Sequence, residues 1–241
     1  MIDLRPFAGL GRFRNDWLNA RHHFSFGEYH DPERMGFGPL RVWNDDEIAP
    51  QRGFDPHPHR EMEIITYVRA GAITHKDSLG NEGRTEAGDV QVMHAGTGIV
   101  HAEYNRETVP TRLFQIWVMP NRRAVTPGWG TRQFPSEGGG LRVLASGRAA
   151  HDGLGALPLH ADAAVLAGRL GAGEIFHHRL PEGGGAYIVA ASGTITVNSG
   201  ARGTRAGETL GPRDGAAISG ESEITITGGE AAEIVLVELG Q

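Results

Sequence analysis

The chain has 241 residues, with 23 Lys or Arg against 29 Asp or Glu, which gives a formal net charge of −6. This acidic balance supplies no general basic surface for nucleic acid or an anionic membrane, so we expect neither as a direct partner. The sequence contains no cysteine, which excludes disulfides, thiolate zinc sites, iron–sulfur ligation and a cysteine nucleophile.

Glycine accounts for 36 residues, roughly twice its usual share of about 7%. Frequent turns with short strands between them are typical of an all-β protein. The length permits two domains of ordinary size. Residues 1–7 contain no apolar segment of signal-peptide length, and the chain has no apolar run long enough to span a membrane. We therefore expect a cytoplasmic protein.

The first 50 residues predict strands at Phe24–Phe26 and Leu40–Asn44, separated by a turn at Gly36–Pro39. Several histidines occur near these strands. We interpret them as hydrogen-bonded or surface side chains rather than metal ligands: His22, His23 and His30.

Two pairs of potential metal ligands follow, and the members of each pair are separated by one residue. They are His57 with His59, and His101 with Glu103. In an extended chain such residues project from the same face and start roughly 7 Å apart. Pro58 pushes His57 toward extended geometry. Each pair can thus converge on one ion about 2.0–2.2 Å from each donor atom, which predicts a metal held between two strands.

The segment between the pairs predicts a hairpin. Glu63–Val68 is rich in β-branched and aromatic residues, Ala72–His75 follows Gly71, and Ser78–Gly83 is a turn cluster. We interpret His75, like His94, as a pocket-rim or structural residue.

Gly96 and Gly98 might suggest a dinucleotide-binding loop, but His101 stands where a third glycine belongs and no helix pattern follows. We interpret this stretch as a turn that orients His101. Val90–Met93 predicts an alternating strand, and Arg112–Met119, apolar on both faces, predicts a central one.

These motifs resemble those of known proteins. Gly53, His57, His59, Glu63 and Gly71, with Gly88, Gly96, His101 and Asn105, are similar to the two motifs of the cupin superfamily. More narrowly, His57–Val68 and Gly96–Glu103 resemble the pirin family of two-domain cupins. Three further stretches are similar to bacterial pirins: Arg21–Phe26, Tyr29–Pro32 and Gln115–Val118. The resemblance implies an all-β bicupin of two antiparallel, jelly-roll β-barrels in tandem.

The resemblance also implies a ligand set. Many cupins take a carboxylate ligand from the first motif, which would be Glu63, whereas pirins take it two residues after the last histidine, which is Glu103. The implied metal ligands are therefore His57, His59, His101 and Glu103. Glu63 remains as a residue supporting the ligands or as an alternative ligand.

The second half predicts a separate domain. Asn121–Gly140 is rich in Gly and Pro and suggests a connection, so we expect a metal-binding domain at 1–135 and a degenerate, metal-free cupin at 136–241. In that second domain Asp162–Leu170 has helical composition, but the resemblance implies a strand. His177 and His178 would face opposite ways on a strand, and no histidine follows them. Further strands are predicted at 141–144, 186–198, 207–210, 223–227 and 232–239.

Three imidazoles and one carboxylate form a borderline donor set suited to Fe(II), Mn, Ni, Cu or Zn. Four protein ligands on an octahedral ion leave two positions open for an oxygenated substrate and O2. A purely structural zinc site would be closed and tetrahedral. We expect one divalent transition metal ion, with Fe(II) as the first choice.

The resemblance implies quercetin 2,3-dioxygenase activity, in which O2 adds across C2 and C4 of a flavonol with loss of carbon monoxide. In this scheme Glu103 has two candidate roles, fourth ligand and base for the flavonol proton. Four residues could supply apolar pocket walls or belong to the core: Phe54, Met62, Met93 and Ile99.

Two alternatives remain. Eukaryotic pirins, which resemble this site, act as transcriptional cofactors, so the chain could be a redox-sensing regulator with a protein partner. A zinc or manganese isomerase acting on a sugar phosphate would need several basic residues near the metal, where only Arg60 occurs. In each case we expect a monomer.

Overall fold

The computed structural model describes residues 1–134, 140–200 and 207–240. These residues form two compact units: a first unit of residues 11–134 with 157–161, and a second unit of residues 1–10, 140–156 and 162–240. The predicted domain boundary between residues 135 and 136 lies outside the described residues and stays a prediction. Both units are built almost wholly of strands, which confirms the all-β prediction.

The first unit contains two antiparallel sheets. The strands are β2 (Gly11–Arg14), β3 (Leu18–His22), β4 (Leu40–Ile48), β5 (Arg52–His59), β6 (Glu63–Ala70), β7 (Ala72–Asp77), β8 (Glu82–Glu86), β9 (Val90–His94), β10 (Ile99–Asn105), β11 (Thr111–Val118), β12 (Gly128–Arg132) and the short β14 (Leu157–Pro158). Seven of them pair in the order β12-β9-β6-β11-β4-β3-β2 and four in the order β5-β10-β7-β8, whereas β14 belongs to neither of these two sheets.

The second unit repeats this plan. Its strands are β1 (Ile2–Arg5), β13 (Arg142–Ser146), β15 (Ala163–Leu170), β16 (Ile175–Arg179), β17 (Gly185–Ser192), β18 (Ile195–Ser199), β19 (Glu208–Leu210), β20 (Gly215–Ser219), β21 (Glu223–Gly228) and β22 (Ala232–Leu239). They form a larger sheet in the order β1-β20-β17-β22-β15-β13 and a smaller one in the order β16-β21-β18-β19. The strand predicted at Asp162–Leu170 is confirmed as β15.

The described residues contain three short 3-10 helices, at Phe7–Gly9, Pro32–Arg34 and Ala149–His151. Within the three described ranges, no helix is long and apolar enough to cross a membrane.

Apolar side chains from both sheets fill the space between them in each unit. In the first unit Ile73 of the smaller sheet packs with Val68 and Leu113 of the larger sheet. In the second unit Ile226 of the smaller sheet packs with Ile188 of the larger sheet. The strands are hydrogen-bonded as two facing sheets rather than as one closed ring, so the predicted barrels have the form of jelly-roll sandwiches.

Strand β11 lies in the middle of the larger sheet of the first unit, between β4 and β6, as its apolar sequence predicts. Ile116 on this strand has no exposed surface and lies opposite Trp43 and Ile65. We expect Ile116→Ala to lower the free energy of unfolding by about 2–5 kcal/mol, because it leaves a cavity in a packed core. Urea unfolding followed by tryptophan fluorescence would measure this loss. Val109→Ala, at a side chain that is 54% exposed, is the matched control and should change stability little.

Three expectations need correction. Phe24–Phe26, predicted as a strand, follows the end of β3 at His22 and takes part only in an isolated bridge between Phe26 and Tyr29. The stretch 121–140, predicted as a connection, contains strand β12, which pairs with β9 through Gly128–Arg132. The sequence Gly128–Arg132 has no apolar alternation to signal a strand, and its Trp129 ring packs against Gly83, where a Cβ atom would clash with it. The predicted hairpin also pairs differently, because β7 joins β8 whereas β6 belongs to the larger sheet.

Candidate metal centre

Three neighbouring strands of the smaller sheet carry the polar residues of the candidate site. Strand β10 lies between β5 and β7. His101 on β10 is opposite His57 on β5 and opposite Asp77 on β7. Glu103, two residues along, is opposite His75 on β7. Since residues directly opposite each other share one face of a sheet, these side chains project together.

The β5–β10 pair contains an irregularity beside the histidines. The register shifts between His101, opposite His57, and Glu103, opposite Phe54. Two residues of β5, Asp55 and Pro56, therefore stand against one residue of β10. Proline has no N–H to donate to a ladder, and a bulge of this kind locally changes the direction of side chains.

The three predicted histidine ligands converge. One ring nitrogen from each of His57, His59 and His101 lies within 4.8 Å of the others. Ring centroids are 4.8 Å apart for His57 and His59, 4.5 Å for His57 and His101, and 5.0 Å for His59 and His101. His57 and His59 are partly exposed, whereas His101 is buried.

The hydrogen bonds of these histidines leave free the nitrogen atoms that a metal would need. Nδ1 of His57 lies 2.7 Å from the carbonyl oxygen of Asp55, and because a carbonyl only accepts, Nδ1 must carry the proton. Nδ1 of His101 lies 3.5 Å from Nδ1 of His75. Nε2 of His101 is buried with no hydrogen-bond partner. A buried nitrogen with no bonding partner costs free energy, and a divalent metal ion would remove that cost by binding to it, so the site fits such an ion.

The surroundings of the histidines favour the neutral imidazole that binds metal. Burial, followed by the neighbouring charge of His57, lowers the pKa of His59 to about 4. Burial, followed by the charges of His57, His59 and His75, lowers the pKa of His101 to about 2. Since only a neutral imidazole has a lone pair for a metal, both groups are available as donors near neutral pH.

Glu103 is buried among hydrogen-bond donors. Its Oε1 accepts from Nε2 of Gln91 at 2.6 Å and from Oγ1 of Thr66 at 3.3 Å, and its Oε2 accepts from Nε2 of Gln115. A carboxylate oxygen of Glu103 lies within 4.8 Å of ring nitrogens of His75 and His101. The predicted ligands thus fall into two overlapping groups that share His101.

Burial raises the pKa of the Glu103 carboxyl to about 7, and the hydrogen bonds from Gln115, Thr66 and Gln91 limit the rise. A carboxyl with a pKa near the working pH can exchange a proton with a bound molecule.

The donors to Glu103 belong to one polar row across the larger sheet. Its residues lie opposite one another on five consecutive strands: His22, Asn44, Gln115, Thr66 and Gln91. At the far end of the row, Nδ1 of His22 contacts Oδ1 of Asn44 at 2.7 Å. Burying polar residues inside a β-sandwich costs free energy unless they hydrogen-bond to one another. A polar row of this kind is therefore typical of a functional site rather than of a hydrophobic core.

A cavity of about 990 Å³ lies beside these residues, entirely within the first unit. His57, His59 and Glu103 line it. Aromatic residues form much of its wall: Trp17, Phe26, Tyr29, Phe54 and Trp117. The Trp117 ring meets the His59 ring edge to face, with centroids 4.9 Å apart. This volume and largely apolar lining suit a flat organic molecule.

Other residues singled out from the sequence have different positions. Of the possible apolar walls, Phe54 lines the cavity, whereas Met93 and Ile99 pack in an apolar cluster that Met62 adjoins. Glu63 has no exposed surface, and its Oε2 accepts from Nδ1 of His94 at 2.6 Å and from the backbone N–H of His160.

In the second unit His178 Nε2 lies 2.8 Å from a carboxylate oxygen of Glu238, and His177 Nδ1 lies 3.2 Å from Thr225 Oγ1. The expectation that this unit holds no metal stays a prediction.

Sequence reasoning missed a third pair with the same spacing, His75 and Asp77, on the strand next to His101. The spacing of the pair was a usable signal. The glutamine and threonine donors to Glu103 gave no signal, because their alignment depends on the register of separate strands.

Comparison with known proteins gives matches over both halves of the chain. The Pirin family model matches residues 5–118, and the model described as the quercetinase C-terminal cupin domain matches residues 143–239. A pirin-like protein of Caulobacter vibrioides is 53% identical over 240 residues, or 99% of each chain. The quercetin 2,3-dioxygenase of Escherichia coli K12 is 39% identical over 240 residues, again 99% of each chain. The crystal structure of the E. coli bacterial pirin YhhW with nickel(II) superposes with a TM-score of 0.90 at 37% identity, covering 99% of both chains.

Proposed function

The chain belongs to the pirin family of two-domain cupins, and from this premise we propose that it is a metal-dependent dioxygenase that cleaves quercetin or a related flavonol with O2. The observation that carries the proposal is the convergence of three imidazoles beside a cavity of about 990 Å³ with aromatic sides. A relative with 39% identity carries the same activity in its name.

We propose His57, His59, His101 and Glu103 as the residues that hold the metal. Three imidazoles and a carboxylate are donors of intermediate softness that can bind Fe(II), Mn, Ni, Cu or Zn. We take Fe(II) as the working ion, and nickel(II), present in the related bacterial pirin, as its main competitor. When bound, the ion supplies a Lewis acid for a substrate oxygen and redox chemistry for the reaction with O2.

Glu103 is the proposed base that takes the proton from the flavonol hydroxyl. Burial and a pKa of about 7 suit this role, because the carboxyl can accept a proton near neutral pH. Gln91 donates to one of its oxygens and Gln115 to the other, and together they hold the carboxylate in a fixed orientation. A fixed base loses less entropy when it meets its substrate.

The cavity wall provides for binding of a planar ring system. Trp117 meets both His59 and Phe26 edge to face, with centroids 4.9 Å and 5.4 Å apart, which fixes an apolar surface beside the histidines. The Trp117 indole N–H donates to Gln115 Oε1, so the same side chain also supports the donor of Glu103. A flavonol bound there would displace water from the site.

Oxygen consumption by protein reconstituted separately with Fe(II), Ni, Mn, Cu and Zn tests this proposal. With quercetin present, we expect O2 uptake and loss of the flavonol absorbance in equal molar amounts with at least one of these ions. His59→Ala, loaded under the same conditions, should show neither.

Absence of uptake with every ion, in protein that carries one metal per chain, would contradict the proposal. Uptake that persists unchanged in His59→Ala would place the reaction elsewhere.

A further inference from the structure

His75 touches the proposed ligand set without belonging to it. Its side chain is fully buried on β7, and its Nδ1 lies 3.5 Å from Nδ1 of His101. Its other nitrogen, Nε2, lies 3.0 Å from Oδ2 of Asp77, which is also buried. The three side chains form a continuous chain of contacts that ends at the free Nε2 of His101.

The chemistry of these contacts allows one arrangement of protons. An ionised carboxylate only accepts, so Nε2 of His75 carries a proton that it donates to Asp77. In a neutral His75 this leaves Nδ1 unprotonated and able to accept from Nδ1–H of His101. His101 is then the tautomer whose Nε2 has its lone pair free, which is the form that a metal requires.

Asp77 and His75 are both held in place by other contacts. Oδ1 of Asp77 accepts from the backbone N–H groups of Leu79 and Asn81, at 2.9 Å and 3.1 Å. The His75 ring stacks on Trp129 with centroids 4.8 Å apart and planes 6° apart. Neither His75 nor Asp77 can therefore turn away without breaking the β7–β8 turn or this stacking.

We propose that Asp77, acting through His75, sets the tautomer and orientation of His101, and that His75 is a positioning residue rather than a metal ligand. The inference rests on the proposed metal site. His75 also has a ring nitrogen within 4.8 Å of His101 and Glu103, so direct ligation is the competing role. Both of its nitrogens are already engaged, Nε2 by Asp77 and Nδ1 by His101.

Nitrogen-15 NMR of the histidine rings in the full-length protein, metal-free and loaded with Zn(II), reads these protons directly. We expect His75 to be protonated at Nε2 in both states, and His101 to be protonated at Nδ1 and bound to zinc through Nε2. A proton or a zinc ion on Nδ1 of His75 would overturn the proposal, and this result needs no variant to fold.

Asp77→Asn provides the second test. Its oxygen can keep the bonds to Leu79 and Asn81, but its amide group faces His75 Nε2, which drives the His75 proton to Nδ1 and against His101. We expect the zinc dissociation constant to rise about 10- to 100-fold, the usual cost of losing an outer-shell partner, and the His75 NMR signals to change to the other tautomer.

Asn81→Ala is the matched control, because it removes the donor Nδ2, 2.9 Å from Asp77 Oδ2, while leaving the His75 contact in place. It should bind zinc as the unmodified protein does. Equal losses in both variants would assign Asp77 a purely structural role in the turn. Unchanged affinity in Asp77→Asn would refute the positioning role alone, whereas no zinc uptake by the unmodified protein would refute the proposed metal site.

Discussion

Replacing His57 with alanine should leave the fold intact and abolish tight metal binding. The side chain is only partly buried, and the hydrogen bond it loses is to the carbonyl of Asp55, two residues away on the same strand. The fold therefore depends little on it. The metal depends on it strongly, because it would be one of three imidazoles whose donor atoms lie within 4.8 Å of one another.

Losing a residue that hydrogen-bonds to a metal ligand raises the metal dissociation constant by up to roughly 100-fold. Because His57 would bind the metal itself, we expect a larger rise in His57→Ala. Competition with a chromophoric chelator would measure the constant, and elemental analysis would give the metal content per chain. His30→Ala removes an exposed histidine and controls for the loss of an imidazole as such. One metal per chain at unchanged affinity in His57→Ala would remove His57 from the ligand set.

The candidate ligand pairs could be found in the sequence because their geometry is local. Residues i and i+2 of an extended strand project from the same face of the sheet. Pro58 favours the extended conformation at His57. The structure adds that β5 and β10 are direct neighbours, with His57 opposite His101. Nothing in the sequence between the pairs specifies that neighbourhood, because β6, β7, β8 and β9 intervene in the chain.

The features that depend on register were not predictable. Gln115 and Thr66 reach Glu103 because β11 lies beside β6 with these residues opposite each other, and a shift of one residue would turn both away. In the same way, His75 meets His101 through the pairing of β7 with β10. Read singly, a buried histidine or glutamine gives no indication of such partners.

The position of the cavity could not be predicted from the sequence either. Phe54 and Ile99 have the same apolar character, yet Phe54 lines the cavity and Ile99 packs in an apolar cluster. Which inward faces remain unfilled depends on how closely the two sheets approach along their whole length. That distance is determined by the packing of many side chains at once.

Replacing Glu103 with glutamine should produce the largest loss of turnover of any single change that keeps the three histidines. The substitution removes the proposed base, and general acid–base catalysis contributes roughly 100- to 10,000-fold. It also places an amide N–H2 among Gln91, Thr66 and Gln115, which all donate to Glu103. One donor must then face another, which disturbs the orientation of the side chain.

We therefore expect flavonol turnover per bound metal to fall at least about 100-fold in Glu103→Gln, with metal retained at lower affinity on the three histidines. The matched control is Glu63→Gln, which changes the other buried glutamate that cupin motifs offer as a ligand. Glu63 bonds to His94 and to the backbone of His160, so its loss should lower stability while turnover per metal stays unchanged. The opposite pattern, with turnover lost in Glu63→Gln and kept in Glu103→Gln, would transfer the carboxylate role to Glu63. If Glu103→Gln left both metal content and turnover unchanged, Glu103 would be neither ligand nor base.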